Sequence, residues 1–182
     1  MALRQILAYP HAALREPAEP VRNIGGDVAA LVEDLAETMY AAPGVGLAAT
    51  QVGVGQRVIV LDVHDPEEAP GKRLLKLVNP EITEREGEIV WEEGCLSVPE
   101  LTAPVRRARR VLVRAWTPEE REVQVEAEEL LAVALQHEID HLDGRLFLDR
   151  LSRLKRDLYR ARQRKLDRQG RKSPGGGRPV LI

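Results

Sequence analysis

This chain has very little cysteine and very little aromatic surface. Cys95 is the only cysteine in 182 residues, so no disulfide framework can form within the chain. Aromatic residues make up 3%. The core must therefore come from Leu, Val, Ile and Ala, and aromatic platforms for single-stranded nucleic acid are not expected. No run reaches the roughly 18 apolar residues a membrane span needs. The N-terminal MALRQILAYPHAALREP has no continuous apolar stretch followed by a cleavage site, so it does not read as a secretory signal and cytoplasm is expected. The formal net charge is -2, which gives no general attraction to nucleic acid, DNA included, or to an anionic membrane.

What is present is ordinary for a soluble globular protein, with 43% apolar and 31% charged residues. The length favours one domain. Pro10, Pro17 and Pro20 suggest an extended arm over 1–24 wrapping the body. Asp27 is expected to cap a helix over 28–41, with Val28, Leu31, Val32, Leu35 and Met39 on one face and Pro43-Gly44 ending it. RVIVLDV (57–63) reads as a strand, and 64–73 as an exposed loop. Two further strands are expected over 74–83 and 84–91. Alternation over 110–116, a polar connection over 117–121 and a return over 122–126 predict a hairpin. A helix follows over about 128–141, stopped by Gly144, and a very basic one over 150–166. Short strands flanking one late helix, without βαβ alternation, predict an α+β fold: small antiparallel strands packed around that helix. From about residue 166 the chain ends in DRQGRKSPGGGRPVLI, expected to be a flexible basic tail. Its charge is expected chiefly to be a solvated helix face followed by a frayed end, with RNA binding or a ribosome contact as the functional alternative.

His137-Glu138-Ile139-Asp140-His141 is an H-E-x-x-H pattern inside the Leu/Ala-rich helix. Histidines four apart share one helix face, so both imidazoles can reach one ion. Glu138 can take a proton from water beside it. An unpartnered carboxylate in an otherwise apolar helix would be costly without such a purpose. A catalytic ion needs a third protein ligand. No histidine follows His141, and His11 and His64 lie in loops. Cys95, in Glu93-Gly94-Cys95-Leu96-Ser97, is the better candidate, and a thiolate with two imidazoles suits a divalent transition metal. Two readings remain on these residues: a metallohydrolase, which could be a small metallopeptidase, or a structural metal domain or inactive binding module in which the metal only fastens the helix to the Cys95 strand. Gly44-Val45-Gly46 is no phosphate loop, since no Lys-Ser/Thr pair follows. Glycine there is expected to bring backbone close to a ligand and to allow φ values barred to other residues.

Three blocks together resemble the peptide deformylase family. Gly44-Val45-Gly46-Leu47-Ala48-Ala49-Thr50-Gln51 is similar to its G-x-G-x-A-A-x-Q, Glu93–Ser97 to E-G-C-x-S, and Gln136–His141 to Q-H-E-x-D-H, in that order. The resemblance covers about 3–160 and places the catalytic domain at 1–165 and the tail at 166–182. It implies hydrolysis of the formyl group from N-terminal formyl-methionine of nascent peptides. It implies one divalent ion on Cys95, His137 and His141: iron(II) in the cell, replaceable by zinc, nickel or cobalt. Glu138 would be the catalytic acid–base, with Gln51 and the Leu96 N–H holding the formyl oxygen. The Gly46 backbone would pair with the peptide, and Arg107 would stand behind the ligands. Val45, Val133, Ala134 and Trp91 are the expected lining of a methionine pocket. A monomer is expected, with a transient ribosome contact. Two positions depart from the family pattern: Glu129 replaces a frequent glycine and is expected to make its turn more helical, and Thr102 stands where some relatives have a substrate-touching arginine.

Overall fold

The computed structural model describes residues 2–64 and 69–168. Helix α1 spans Gly26–Ala41, α2 Glu129–Leu142 and α3 Arg153–Arg168. The strands are β1 Gly46–Ala48, β2 Val58–Leu61, β3 Leu75–Glu86, β4 Ile89–Cys95, β5 Val98–Arg107, β6 Arg110–Trp116 and β7 Glu122–Glu128. Five of them form one antiparallel sheet in the order β1-β2-β3-β6-β7, and β4 with β5 forms a separate ribbon.

The sheet separates two cores. Ile59 and Leu61 of β2, with Val111, Val113 and Ala127, pack on α2 residues Ala132, Val133, Leu135 and Ile139. The alternate residues Val58 and Val60 pack on Val28, Leu31, Val32, Leu35 and Met39 of α1. A strand covered on both faces needs an unbroken apolar run, which is why β2 reads VIVL rather than alternating. A third core joins Val98, Ala103 and Val105 of the ribbon to Leu14, Leu146, Phe147 and Leu148.

Several expected elements shift. Gly25, not Asp27, occupies the N-cap of α1, and Asp27 lies in its first turn. The turn expected near residue 83 falls at Gly87, where φ is +62°, so β3 runs longer and β4 later. Strand β5 was not legible: its buried positions Ala103, Val105 and Arg107 alternate, but one is charged and Pro99 and Pro104 interrupt the run. The short β1 was not legible either. Glu129 does not make its turn more helical. It takes φ +51° where β7 turns into α2, a left-handed conformation that costs a non-glycine residue about 1–2 kcal/mol.

The arm over 2–24 lies across the body as expected. Leu7 N–H donates to the Gln51 carbonyl and Tyr9 N–H to the Ser97 carbonyl, each at 2.8 Å. Asn79 clamps Val21 through both its backbone groups at 2.8 Å. Among the described residues no helix is long and apolar enough to cross a membrane. The tail beyond Arg168 lies outside the described residues.

Candidate metal centre

Three elements meet where α2 crosses the end of the ribbon. Helix α2 brings His137, Glu138 and His141, β4 ends on Cys95, and the turn after β1 carries Gln51. His137 Nε2 lies 3.2 Å from His141 Nε2, which lies 3.2 Å from Cys95 Sγ. All three donor atoms fall within 4.8 Å of one another, and all three residues are buried. A tetrahedral ion with bonds of about 2.0–2.3 Å separates such donors by roughly 3.3–3.6 Å, so the set is near the size an ion requires.

The electrostatics fit the same donors. Burial and then the neighbouring His137 push His141 well below its ordinary value, which leaves a neutral imidazole. Its Nδ1 is buried with no hydrogen-bond partner among the described residues. Burial, followed by the charge of Glu138, pushes the Cys95 thiol far up. A coordinated divalent cation reverses that, because a ligating thiol is deprotonated. These residues therefore fit one divalent metal ion.

Glu138 is completely buried, and neither carboxylate oxygen has a partner among the described residues. Burial first and the Glu93 charge second raise it well above the usual carboxylate range. Space for this carboxyl exists only because Gly46 has no side chain: an added Cβ would lie 2.5 Å from Glu138 Oε1. Gly44 is less constrained, since its added Cβ would meet only the flexible end of Leu96, Cδ1 at 2.8 Å. Neither glycine has a positive φ, so close approach, and not the expected conformational freedom, is what favours glycine, most strongly at Gly46.

Gln51 is pinned at both ends. Its Oε1 accepts from Ala48 N–H at 2.8 Å, and its Nε2 donates to Ser97 Oγ at 3.2 Å and lies 3.8 Å from Cys95 Sγ. Leu96 follows Cys95 in the turn between β4 and β5. Val133 and Ala134 are fully buried one turn before His137, while Val45 and Trp91 are half-buried against the same core. Thr102 is exposed and donates to Glu92 at 3.0 Å.

Behind the donors runs a chain of alternating charge, buried as far as Asp140 and ending on exposed Arg150, in which the sequence points only to Arg107. His137 Nδ1 meets Glu93 Oε2 at 2.9 Å. Arg107 forks onto Glu93 at 2.6 and 2.9 Å and also reaches Asp140. Arg150 holds both oxygens of Asp140 at 2.7 Å. Burial would raise Glu93, but the Arg107 and His137 bonds outweigh it and hold the carboxylate below its ordinary value. A carboxylate on the far nitrogen of a ligating histidine fixes the ring and its tautomer. The signal for Glu93 was available, since a strand puts residues two apart on one face and Glu93 precedes Cys95 by two.

The polypeptide deformylase family model matches residues 3–157. A peptide deformylase of Alkalilimnicola ehrlichii is 52% identical over 176 residues, 97% of each chain. The crystal structure of a peptide deformylase from Legionella pneumophila superposes with a TM-score of 0.83 at 44% identity, over 94% of this chain and 99% of that one. One from Ehrlichia chaffeensis, solved in complex with actinonin, gives 0.84 at 36% identity over 92% and 99%.

Proposed function

The chain belongs to the polypeptide deformylase family, and on that premise we propose how its residues divide the work. The reaction is metal-dependent hydrolysis of the formyl group on the N-terminal formyl-methionine of nascent polypeptides, with release of formate. Cys95, His137 and His141 are the residues that would hold the ion. When bound, the ion supplies Lewis acidity toward the formyl oxygen and toward water.

Glu138 takes the proton of the attacking water as oxygen adds to the formyl carbon. The Gln51 Nε2 and the Leu96 N–H donate to the oxygen that gains negative charge. The pinning of Gln51 by Ala48 and Ser97 supports this, because an oriented donor reorganises little during reaction. The carbon–nitrogen bond then breaks, and Glu138 passes its proton to the departing amine. Glu93 keeps the His137 ring turned toward the ion. Strand β1 ends the sheet with one free edge, where the Gly46 backbone pairs with the extended peptide. Val45, Trp91, Val133 and Ala134 receive the methionine side chain.

The observation that carries these roles is the fully buried, unpartnered carboxyl of Glu138 beside a Cys/His/His donor set. A group so costly to bury has no structural use there. Iron(II) is our assignment for the cell, and zinc, nickel or cobalt suit the same donors. We place the catalytic unit at residues 1–165; helix α3 continues across the expected boundary to Arg168, and the basic tail is appended after it. Helix α3 is rich in arginine and leaves Leu154 70% and Leu158 62% exposed, which supports a transient ribosome contact. We take the enzyme to be monomeric and cytoplasmic.

Glu138→Gln should retain the metal and lose at least about 100-fold in deformylation of a formyl-Met-Ala peptide. Full activity in that variant refutes the acid–base assignment. Wild-type enzyme loaded with iron(II) without oxygen should cleave the formamide and leave internal peptide bonds intact.

A further inference from the structure

Helix α2 presents a second face, away from the His137/His141 side, through Gln136, Ile139, Asp140 and Asp143. That face borders a cavity of about 330 Å³. Its walls carry five arginines, Arg85, Arg106, Arg107, Arg145 and Arg150, against three carboxylates, Glu88, Asp140 and Asp143. Every carboxylate is already matched. Asp140 is held by Arg107 and Arg150. Glu88 pairs with Arg106 at 3.0 Å, and Asp143 pairs with Arg57, which is not among the lining residues, at 2.8 Å.

Arg85 and Arg145 have neither an ion pair nor a side-chain hydrogen bond among the described residues. They come from β3 and from the turn after α2, which brings two free guanidinium groups to one cavity. The excess of two positive charges on its walls runs against a chain of net charge -2. A guanidinium fork matches phosphate oxygens in a bidentate way. A phosphate monoester carries about -1.5 to -2 at neutral pH, and two successive backbone phosphodiesters carry about -1 each, so either balances that excess. The volume falls in the range of about 300–1,000 Å³ typical of small-ligand pockets.

We propose that this cavity binds a phosphate-bearing anion, held by Arg85 and Arg145. Its source is either a free phosphorylated molecule or the backbone of RNA. The cavity shares Arg107, Asp140 and Arg150 with the charge chain behind His137, but the guanidinium groups of Arg85 and Arg145 bond neither to that chain nor to the metal donors, so the proposal stands without the deformylation chemistry. The test follows backbone amides by NMR in the full-length, zinc-loaded enzyme at low salt. One arm titrates inorganic phosphate, and the other a single-stranded RNA of about ten nucleotides. Phosphate should move the Ala108 and Arg145 amides saturably. The Arg85→Gln/Arg145→Gln double variant should bind about tenfold or more weakly with deformylation unchanged, a loss of at least roughly 1.4 kcal/mol.

RNA giving the same shifts, lost in the same variant, assigns the anion to a nucleic-acid backbone. Shifts with phosphate alone assign it to a free molecule. The proposal is overturned if neither probe moves these amides, if phosphate moves only those of Gly46 and Leu96 beside the metal, or if the double variant binds as tightly as wild type.

Discussion

Gly46→Ala tests the geometry of the metal centre with one methyl group. The added Cβ would stand 2.5 Å from Glu138 Oε1 and 3.0 Å from its Cδ and Cγ. The φ of Gly46 is not positive, so alanine meets no backbone penalty and the effect is steric. Relief requires Glu138 to move by about 1 Å, or β1 to lift from α2. Displacing a reacting group by that distance can cost roughly 100-fold in rate. Overpacking a buried site costs about 1–3 kcal/mol, and each kcal/mol lowers Tm by about 2–4 °C in a domain of this size. The assay is kcat and KM on formyl-Met-Ala, with metal content and Tm measured on the same preparation. The expected result is a kcat lower by about two orders of magnitude, with metal retained and a modest fall in Tm. Gly55→Ala is the control, because nothing lies within 4 Å of its added Cβ. If Gly46→Ala keeps wild-type kcat, the carboxyl does not depend on this space and the steric reasoning is wrong.

Glu93→Gln should weaken metal binding about 10–100-fold in competition with a chelator, because His137 loses its orienting carboxylate. Unchanged affinity would reduce Glu93 to a partner of Arg107 alone. Asp62 accepts from the Tyr40 hydroxyl and the Gly71 N–H, each at 2.6 Å, and these bonds outweigh burial to hold its carboxyl below the ordinary value. A depressed carboxyl contributes stability above its unfolded value of about 3.9 and loses it as pH falls through the folded value. Wild type should therefore exceed Asp62→Asn in denaturant stability by a constant margin above about pH 5, and the margin should shrink below about pH 4. A margin flat down to about pH 2 would contradict the shift. Glu120 takes φ +60° in the exposed turn between β6 and β7. Glu120→Gly should stabilise the fold by about 0.5–1 kcal/mol, the left-handed cost less glycine's extra chain entropy, and an unchanged or lower Tm would argue against that balance.

The elements most legible in the sequence were those whose pattern is local. Helix α1 could be read from Val28, Leu31, Val32, Leu35 and Met39, and the hairpin of β6 and β7 from strict alternation. Strand β5 escaped because its alternation includes buried Arg107, which looks like a surface residue until Glu93 and Asp140 are seen around it. Glu129 departs from the helical expectation because its conformation is set at the junction of β7 with α2. Propensity at a single residue carries no information about such a junction.

The sequence alone determined that His137 and His141 share a face with Glu138 beside them, because helical spacing follows from covalent geometry and four residues make about one turn. It also marked Cys95 as the third donor by elimination and by family pattern. Only the tertiary structure decided how the donors meet: Cys95 Sγ stands 3.2 Å from a histidine 46 positions later in the chain. It also decided that Glu93 backs His137, that Arg107 and Arg150 close the charge chain, and that Gly46 is glycine to make room for a carboxyl. Those distances depend on how the ribbon, the sheet edge and α2 pack together. Such packing is a property of the whole core, and no local period in the chain encodes it.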